Sequence, residues 1–218
     1  MVAQQDPEPA AVGLAGRKPP KGTLNVARWN EILEAAGEVF NEKGYQAARI
    51  EDIAARVGIL KGSLYYYIET KEDLLFALSD QAHSSGVESI AEGPELDGAD
   101  APTRLGAFVR RWTVVLEANP PYATVAEREV GRLSGERYEH VMAKRNQLHG
   151  FVRSLIEQGI AEGAFDPSID PGVATNALFE LMNGMRHWFR PDGRRSPQEI
   201  GEFYRSFVLR GLAAPTAV

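Results

Sequence analysis

Cysteine is absent from the 218 residues. That removes disulfides, thiolate metal sites and cysteine nucleophiles together. Histidine is scarce: His83, His140, His149 and His187 are widely spaced, and no two stand at the His-Glu-x-x-His interval of a zinc hydrolase. No Gly-x-Ser-x-Gly elbow and no P-loop occur. Catalytic residues, metal ligands and cofactors are therefore expected to be none, and the chain reads as not an enzyme. No apolar run approaches the ~20 residues of a membrane-spanning helix. The polar opening, with Pro and Gly and no hydrophobic centre, is neither a signal peptide nor an anchor. With no disulfides, this predicts a cytoplasmic protein without membrane partners. A credible alternating strand pattern is also missing, which leaves an all-α fold. Positive charge is in the minority, with a formal net charge of −6. That counts only weakly against nucleic acid, because a phosphate responds to the local field and not to the total.

What is present is an ordinary globular balance, 44% hydrophobic and 25% charged. Residues 1–22 hold too few large apolar groups to pack and read as a disordered tail. Arg17, Lys18 and Lys21 make its end basic, so it is a solvated tail or a DNA-touching arm. From Val26, the residues Trp29, Ile32, Leu33, Ala36 and Phe40 recur at helical steps until Lys43-Gly44 stops them. Ile50, Ile53, Ala54 and Val57 mark a second, short helix ending at Gly58. Two such helices joined by a tight turn make a helix-turn-helix unit. Thr70-Lys71-Glu72-Asp73 has the capping-box arrangement and opens a helix with Leu74, Leu75 and Leu78 inward. That pattern weakens at His83-Ser84-Ser85-Gly86, and residues 92–102 read as a loop. Leu105, Phe108, Trp112, Val115 and Leu116 form the next stripe, and Pro120-Pro121 breaks it. Helices are expected over 135–162 and 171–189, with a last one opened by Ser196-Pro197-Gln198-Glu199.

The stretch KGSLYYYIETKEDLL (61–75) carries the most information. On a helical wheel Leu64 and Ile68 share one side, while Gly62, Ser63 and Tyr66 point the opposite way and Tyr67 sits at that face's edge. The three tyrosines cannot all be core. An outward aromatic beside glycine and serine suits a helix that enters a groove. Glycine permits close approach, the first turn offers free N–H groups, and tyrosine hydroxyls donate to phosphate. Lys61 and Lys71 place positive charge at the two ends. The competing reading is an aromatic-rich helix packing in a small all-α domain.

The segment GYQAARIEDIAARVGILKGSLYYYIETKEDLL (44–75) resembles the DNA-binding domain of the tetracycline-repressor (TetR) family of bacterial transcriptional regulators. The resemblance rests on Gly44-Tyr45, Ile53-Ala54, Gly58, the run Lys61-Gly62-Ser63-Leu64-Tyr65-Tyr66, and Lys71-Glu72. It implies an N-terminal three-helix helix-turn-helix DNA-binding domain (23–72) followed by an effector-binding and dimerisation domain (73–218). Lys61, Gly62 and Ser63 would lie near base edges, and Tyr65, Tyr66 and Lys71 on backbone phosphates, with Tyr67 where a histidine is more usual. Ala48 and Arg49 replace the hydroxyl residues that often cap helix 2. Arg49 could grip phosphate by charge, but the lost cap costs about 1 kcal/mol. Leu60 stands where serine is common and is a candidate hydrophobic staple against helix 1.

The resemblance further implies a homodimer that binds a near-palindromic double-stranded DNA operator as a repressor and is released by a small effector. The last two helices support the dimer independently, being apolar on more than one side. Leu178, Leu181, Trp188, Phe189, Phe203 and Phe207 are the interface candidates, against a purely monomeric core. Phe108, Trp112, Val115, Phe151, Leu155, Met182 and Met185, with Arg186, are the candidate ligand-binding residues, or else plain core. The ending FDPSIDPGVATNALFELMNGMRHWFRPDG resembles members of the family that answer to acyl-CoA-type lipid catabolites. It points to an apolar or amphipathic effector such as a CoA thioester, with polyaromatic or cationic compounds as the rival class. Two other functions compete: a helical DNA-binding protein without an effector, and a helical interaction module.

Overall fold

The computed structural model describes residues 26–90, 96, 98–118, 122–190 and 192–215. The basic tail read from the sequence and Pro120-Pro121 lie outside them. Among the described residues the structure is helical, and the one β-type pairing is an isolated bridge between Phe165 and Ala213.

Helix α1 (Val26–Lys43) buries Ile32, Leu33, Ala36 and Phe40, the expected stripe, and ends at Gly44 with φ 77°. Helix α2 (Ile50–Val57) ends on Gly58, whose φ of 75° lets the Ile59 N–H turn back to the Ala54 carbonyl at 2.9 Å. The start of α2 has no hydroxyl cap, as expected, but Asp52 partly replaces it. Its carboxylate accepts the Arg49 backbone N–H at 3.0 Å and pairs with Lys43 at 2.8 Å, joining the start of α2 to the end of α1.

Helix α3 (Lys61–Leu64) is shorter than the wheel supposes. Tyr65–Tyr67 form a turn in which the Tyr67 N–H returns to the Leu64 carbonyl at 2.9 Å. Consecutive aromatics are modest helix formers. In addition, Asp73 takes the N–H groups of Glu69 and Thr70, at 2.7 and 2.8 Å, to open the following helix. Leu64 and Ile68 are buried as expected. Leu60 is not a staple: it is the extended residue that precedes α3 and is 79% exposed.

Helix α4 (Lys71–Ile90) does not fade at His83. Asp80 meets His140 and Lys144 there, and the Ser84 hydroxyl accepts from Lys144 at 2.7 Å, so the weakened apolar stripe marks a polar interface. Helix α5 (Ala101–Ala118) begins inside the stretch read as a loop, with Asp100 accepting the Thr103 N–H at 2.9 Å. Helix α6 (Tyr122–Glu129) leads through a 3-10 turn to α7 (Gly135–Ala161). The helix expected over 171–189 is broken at Gly184 into α8 (Pro171–Asn183) and α9 (Met185–Trp188). Helix α10 (Pro197–Leu212) has the reciprocal Ser196–Glu199 capping box, at 3.2 and 2.9 Å.

Two cores result. The first unites α1–α3 with Leu74, Leu75 and Leu78 of α4 and reaches Val125, Val130, Leu133 and Val141 of the α6–α7 region. The second lies between α5, α7, α8 and α10. Helix α10 lies so close to α5 that a Cβ at Gly201 would meet the Thr113 hydroxyl oxygen at 2.4 Å. Helix α4 belongs to the first core at its start and packs on α5, α6 and α7 further along.

Candidate DNA-binding surface and effector pocket

The α2–α3 surface sorts the expected DNA contacts into three groups. Tyr66 is 74% exposed and Tyr65 42%, while Arg49, Lys61 and Gly62 are also exposed. Nothing stands within 4 Å of where a Gly62 Cβ would lie, so that point on α3 is open to close approach. Lys61 is held by Glu51 at 2.6 Å and lies 5.9 Å from the Tyr65 ring centroid. That contact raises the lysine pKa and lowers the glutamate's. The Arg49 guanidinium has no ion-pair partner among the described residues.

Ser63 and Tyr67 are half-buried. Tyr67 stacks on Trp29 of α1, with centroids 6.4 Å apart, so its ring is part of the packing and not a free edge. Lys71 departs most from expectation. Its ammonium is not turned outward but donates to the carbonyls of Tyr45, Gln46 and Ala48 at 2.6, 3.1 and 2.9 Å, and lies 4.5 Å from the Tyr45 ring centroid. Burial pulls its pKa below the ordinary lysine value, and the three carbonyl dipoles work against that pull by favouring the charged form. Lys71 therefore holds the α1–α2 loop in place.

A cavity of about 250 Å³ lies where α4, α5, α6, α7 and α8 meet. Of the eight expected ligand residues it uses two, Trp112 and Arg186. Phe108, Leu155, Met182 and Met185 are buried in the second core, and Phe151 packs against it, with its ring 6.0 Å from that of Phe108. Val115 is half-buried and does not line the cavity. These side chains are apolar enough to close-pack, so they fill space and do not border it. The lining is more polar than foreseen, with His83, Glu127, Arg145, His149, Asn176, Glu180 and Asn183. The one sequence sign of them is Arg145 and His149, four residues apart on one face of α7.

One wall is a hydrogen-bonded chain. The Trp112 indole N–H donates to the Asn183 side-chain oxygen at 3.3 Å, and the Asn183 amide donates to Glu127 at 2.9 Å. The Arg186 guanidinium donates to the other Glu127 oxygen. The His83 ring pairs through Nδ1 with the Ser79 carbonyl at 2.8 Å, and the His149 ring stacks on Phe179 at 4.1 Å. Burial lowers the pKa of both imidazoles, and the positive charge of Arg145 adds to the effect on each. Both are neutral near pH 7. A larger hollow near Leu96, Asp100, Arg104 and Glu162 is a wide, solvent-open depression that lacks a comparable enclosed lining.

The expected interface residues also divide. Leu178 is buried within the chain, and Leu181 and Phe189 are half-buried. Trp188, Phe203 and Phe207 are exposed, at 52, 65 and 58%. They form a continuous strip through Tyr204: Trp188–Tyr204 at 6.5 Å, Phe203–Tyr204 at 6.3 Å and Phe203–Phe207 at 6.1 Å. No helix among the described residues is long and apolar enough to cross a membrane.

Comparison with known proteins agrees with this architecture. Residues 32–78 match the model for bacterial regulatory proteins of the tetR family, and residues 98–212 match the tetracyclin repressor-like C-terminal domain. The chain is 28% identical over 193 residues to the HTH-type transcriptional repressor KstR2 of Rhodococcus jostii, covering 86% of this chain and 92% of that protein. The structure of the ketosteroid transcriptional regulator KstR2 of Mycobacterium tuberculosis superposes with a TM-score of 0.75 at 26% identity, over 89% of this chain and 98% of that one. The fold is shared with AibR, solved with isovaleryl coenzyme A and operator DNA, at a TM-score of 0.72 and 24% identity over 87% of this chain and 100% of that one. The chain thus belongs to the TetR family of transcriptional regulators, with an N-terminal DNA-binding helix-turn-helix and a helical C-terminal domain.

Proposed function

We propose that the protein is a repressor that binds its operator as a homodimer in the cytoplasm and lets go when a small organic effector, of the acyl-CoA type or a related acid, occupies the α4–α8 cavity. The observation that carries this reading is the placement of α4. Leu74, Leu75 and Leu78 lie in the core that supports α3, while Ala82 and His83, one to two turns further along, line the cavity. A ligand in the cavity therefore touches the helix on which the DNA-binding unit rests. Only a difference in its affinity for the DNA-competent and released arrangements can shift the balance.

The DNA-binding domain over 23–72 would present Arg49, Lys61, Gly62, Tyr65 and Tyr66, with Ser63 at the margin and with Tyr67 and Lys71 acting from behind. The domain over 73–218 would dimerise through the Trp188–Phe203–Phe207 strip. Two α3 helices about 34–36 Å apart would then meet successive major grooves. AibR, which shares the fold, was solved with isovaleryl coenzyme A and operator DNA, and this favours testing the acyl-CoA class.

The test is fluorescence anisotropy on duplexes from the DNA flanking the coding region, with wild type, Tyr66→Ala and Arg49→Ala. Both variants should bind at least tenfold more weakly, and Arg49→Ala should flatten the salt dependence by about one phosphate contact. Wild-type affinity in both variants would refute the assignment.

A further inference from the structure

We infer that the α4–α8 cavity recognises an organic anion, whose negative group pairs with Arg145 and whose compact apolar body lies against Trp112 and Phe179. The inference rests on the effector-site reading above and specifies the chemistry of that site.

The argument starts from charge. Glu127 is already satisfied, since one carboxylate oxygen accepts from Asn183 at 2.9 Å and the other from Arg186. The Asn183 oxygen is occupied by Trp112. Arg145 lines the same cavity, half-buried, and has neither a hydrogen-bonded nor an ion-paired partner among the described residues. Glu180, the other carboxylate in the lining, is exposed and makes no ion pair with it. A partly desolvated guanidinium without a counter-charge is costly. Its planar fork matches a carboxylate or phosphate in two parallel hydrogen bonds. A cationic ligand would meet Arg145 unpaired, find Glu127 taken, and have only the exposed Glu180, whose charge water already solvates, to pair with.

Volume and shape narrow the class. About 250 Å³ is below the roughly 300–1,000 Å³ of sites for drug-sized molecules. The cavity therefore admits a compact acid, or one end of a longer molecule whose remainder lies outside. Phe179 is flanked by the stacked His149 ring at 4.1 Å and by Trp112 edge-on at 5.6 Å. These rings give an aromatic wall on which a ring or branched chain can lie. The negative charge can come from two sources, the carboxylate of a free acid or the phosphates of a coenzyme A thioester.

The test uses calorimetry and thermal shift on the full chain with phenylacetate, cyclohexanecarboxylate, their primary amides, the matching primary amines and the matching coenzyme A thioesters. We expect the acids or the thioesters to bind and raise the melting temperature, and the amides and amines to bind at least tenfold more weakly. Arg145→Gln should lose at least tenfold in affinity, and Arg145→Lys should retain part of it. Circular dichroism melts of both variants establish that they fold. Binding by the acids alone assigns the charge to a carboxylate, and binding by the thioesters alone assigns it to the phosphates. Equal binding of amide and acid, preference for the amine, undiminished affinity in folded Arg145→Gln, or no response to any acid or thioester would overturn the proposal. Adding the same compounds to the wild-type operator complex separates the two readings. A ligand held through Arg145 that leaves the complex intact would sink effector release and keep the anion site.

Discussion

Lys71→Met separates two roles that a lysine at the edge of a DNA-binding surface can play. In the structure its ammonium donates to three carbonyls of the α1–α2 connection, at 2.6, 3.1 and 2.9 Å. A hydrogen bond from a charged donor contributes about 1.5–3 kcal/mol net. Gln46 is exposed, so water replaces that bond on mutation, and the bonds to Tyr45 and Ala48 dominate. After allowing for desolvation of the ammonium, the net loss is about 2–4 kcal/mol. Methionine keeps the packing of the stem, so the difference reports the ammonium. For a chain of this size each kcal/mol moves the melting temperature by about 2–4 °C, giving a fall of about 4–16 °C. Thermal denaturation followed by circular dichroism measures it. A salt titration of operator binding supplies the second readout. An ammonium used inside the domain leaves the slope of log affinity against log salt unchanged, whereas one on a phosphate reduces it by about 0.9. A variant that melts like the wild type and loses a phosphate's share of the slope would refute the reasoning.

Glu51→Gln should strengthen operator binding by about 2–5-fold in the same anisotropy assay, because it frees Lys61 from an exposed, weakly held pair and removes a carboxylate beside the expected DNA contacts. Phe203→Glu combined with Phe207→Glu should raise the dimer dissociation constant at least a hundredfold by sedimentation, since each ring loses about 1.5–3 kcal/mol of burial and charge enters the contact. Gly159→Ala should lower the urea midpoint by the equivalent of about 1–3 kcal/mol, because its Cβ would stand 2.2 Å from the buried Phe165 ring. His83 has its pKa lowered chiefly by burial, so the unfolded chain takes up a proton first as pH falls. Stability is then full above the unfolded value near ~6.5 and lost as pH drops through it toward the folded value. Urea midpoints between about pH 7.5 and 5.5 should fall more steeply for the wild type than for His83→Gln.

The helix-turn-helix was legible because its signals are local. Gly44 and Gly58 stop their helices through their own backbone freedom, and Asp73 caps residues three and four places away. The 3.6-residue period alone placed Leu64 and Ile68 inside and Tyr66 outside. The inward bonds of Lys71 are not legible in the sequence, because its partners lie 23 to 26 residues earlier and their positions depend on how the α1–α2 loop closes. The cavity was less legible for a related reason. Selecting apolar residues for a pocket selects those best able to eliminate one, and Phe108, Leu155, Met182 and Met185 did so. Space remained where His83, Arg145, Glu127 and Asn183 converge from four helices, since long polar side chains that must satisfy hydrogen bonds cannot interlock as hydrocarbon does. On each of those helices the same residues look like solvated surface. Their meeting depends on how α4 crosses α6 and α7 and how α8 packs on α7, and the weakening apolar stripe at His83 is the trace of that crossing in the sequence. Read as a helix with polar neighbours, it would have led from Asp80, which meets His140 at 2.7 Å and also Lys144, to the adjoining pair His83 and Arg145.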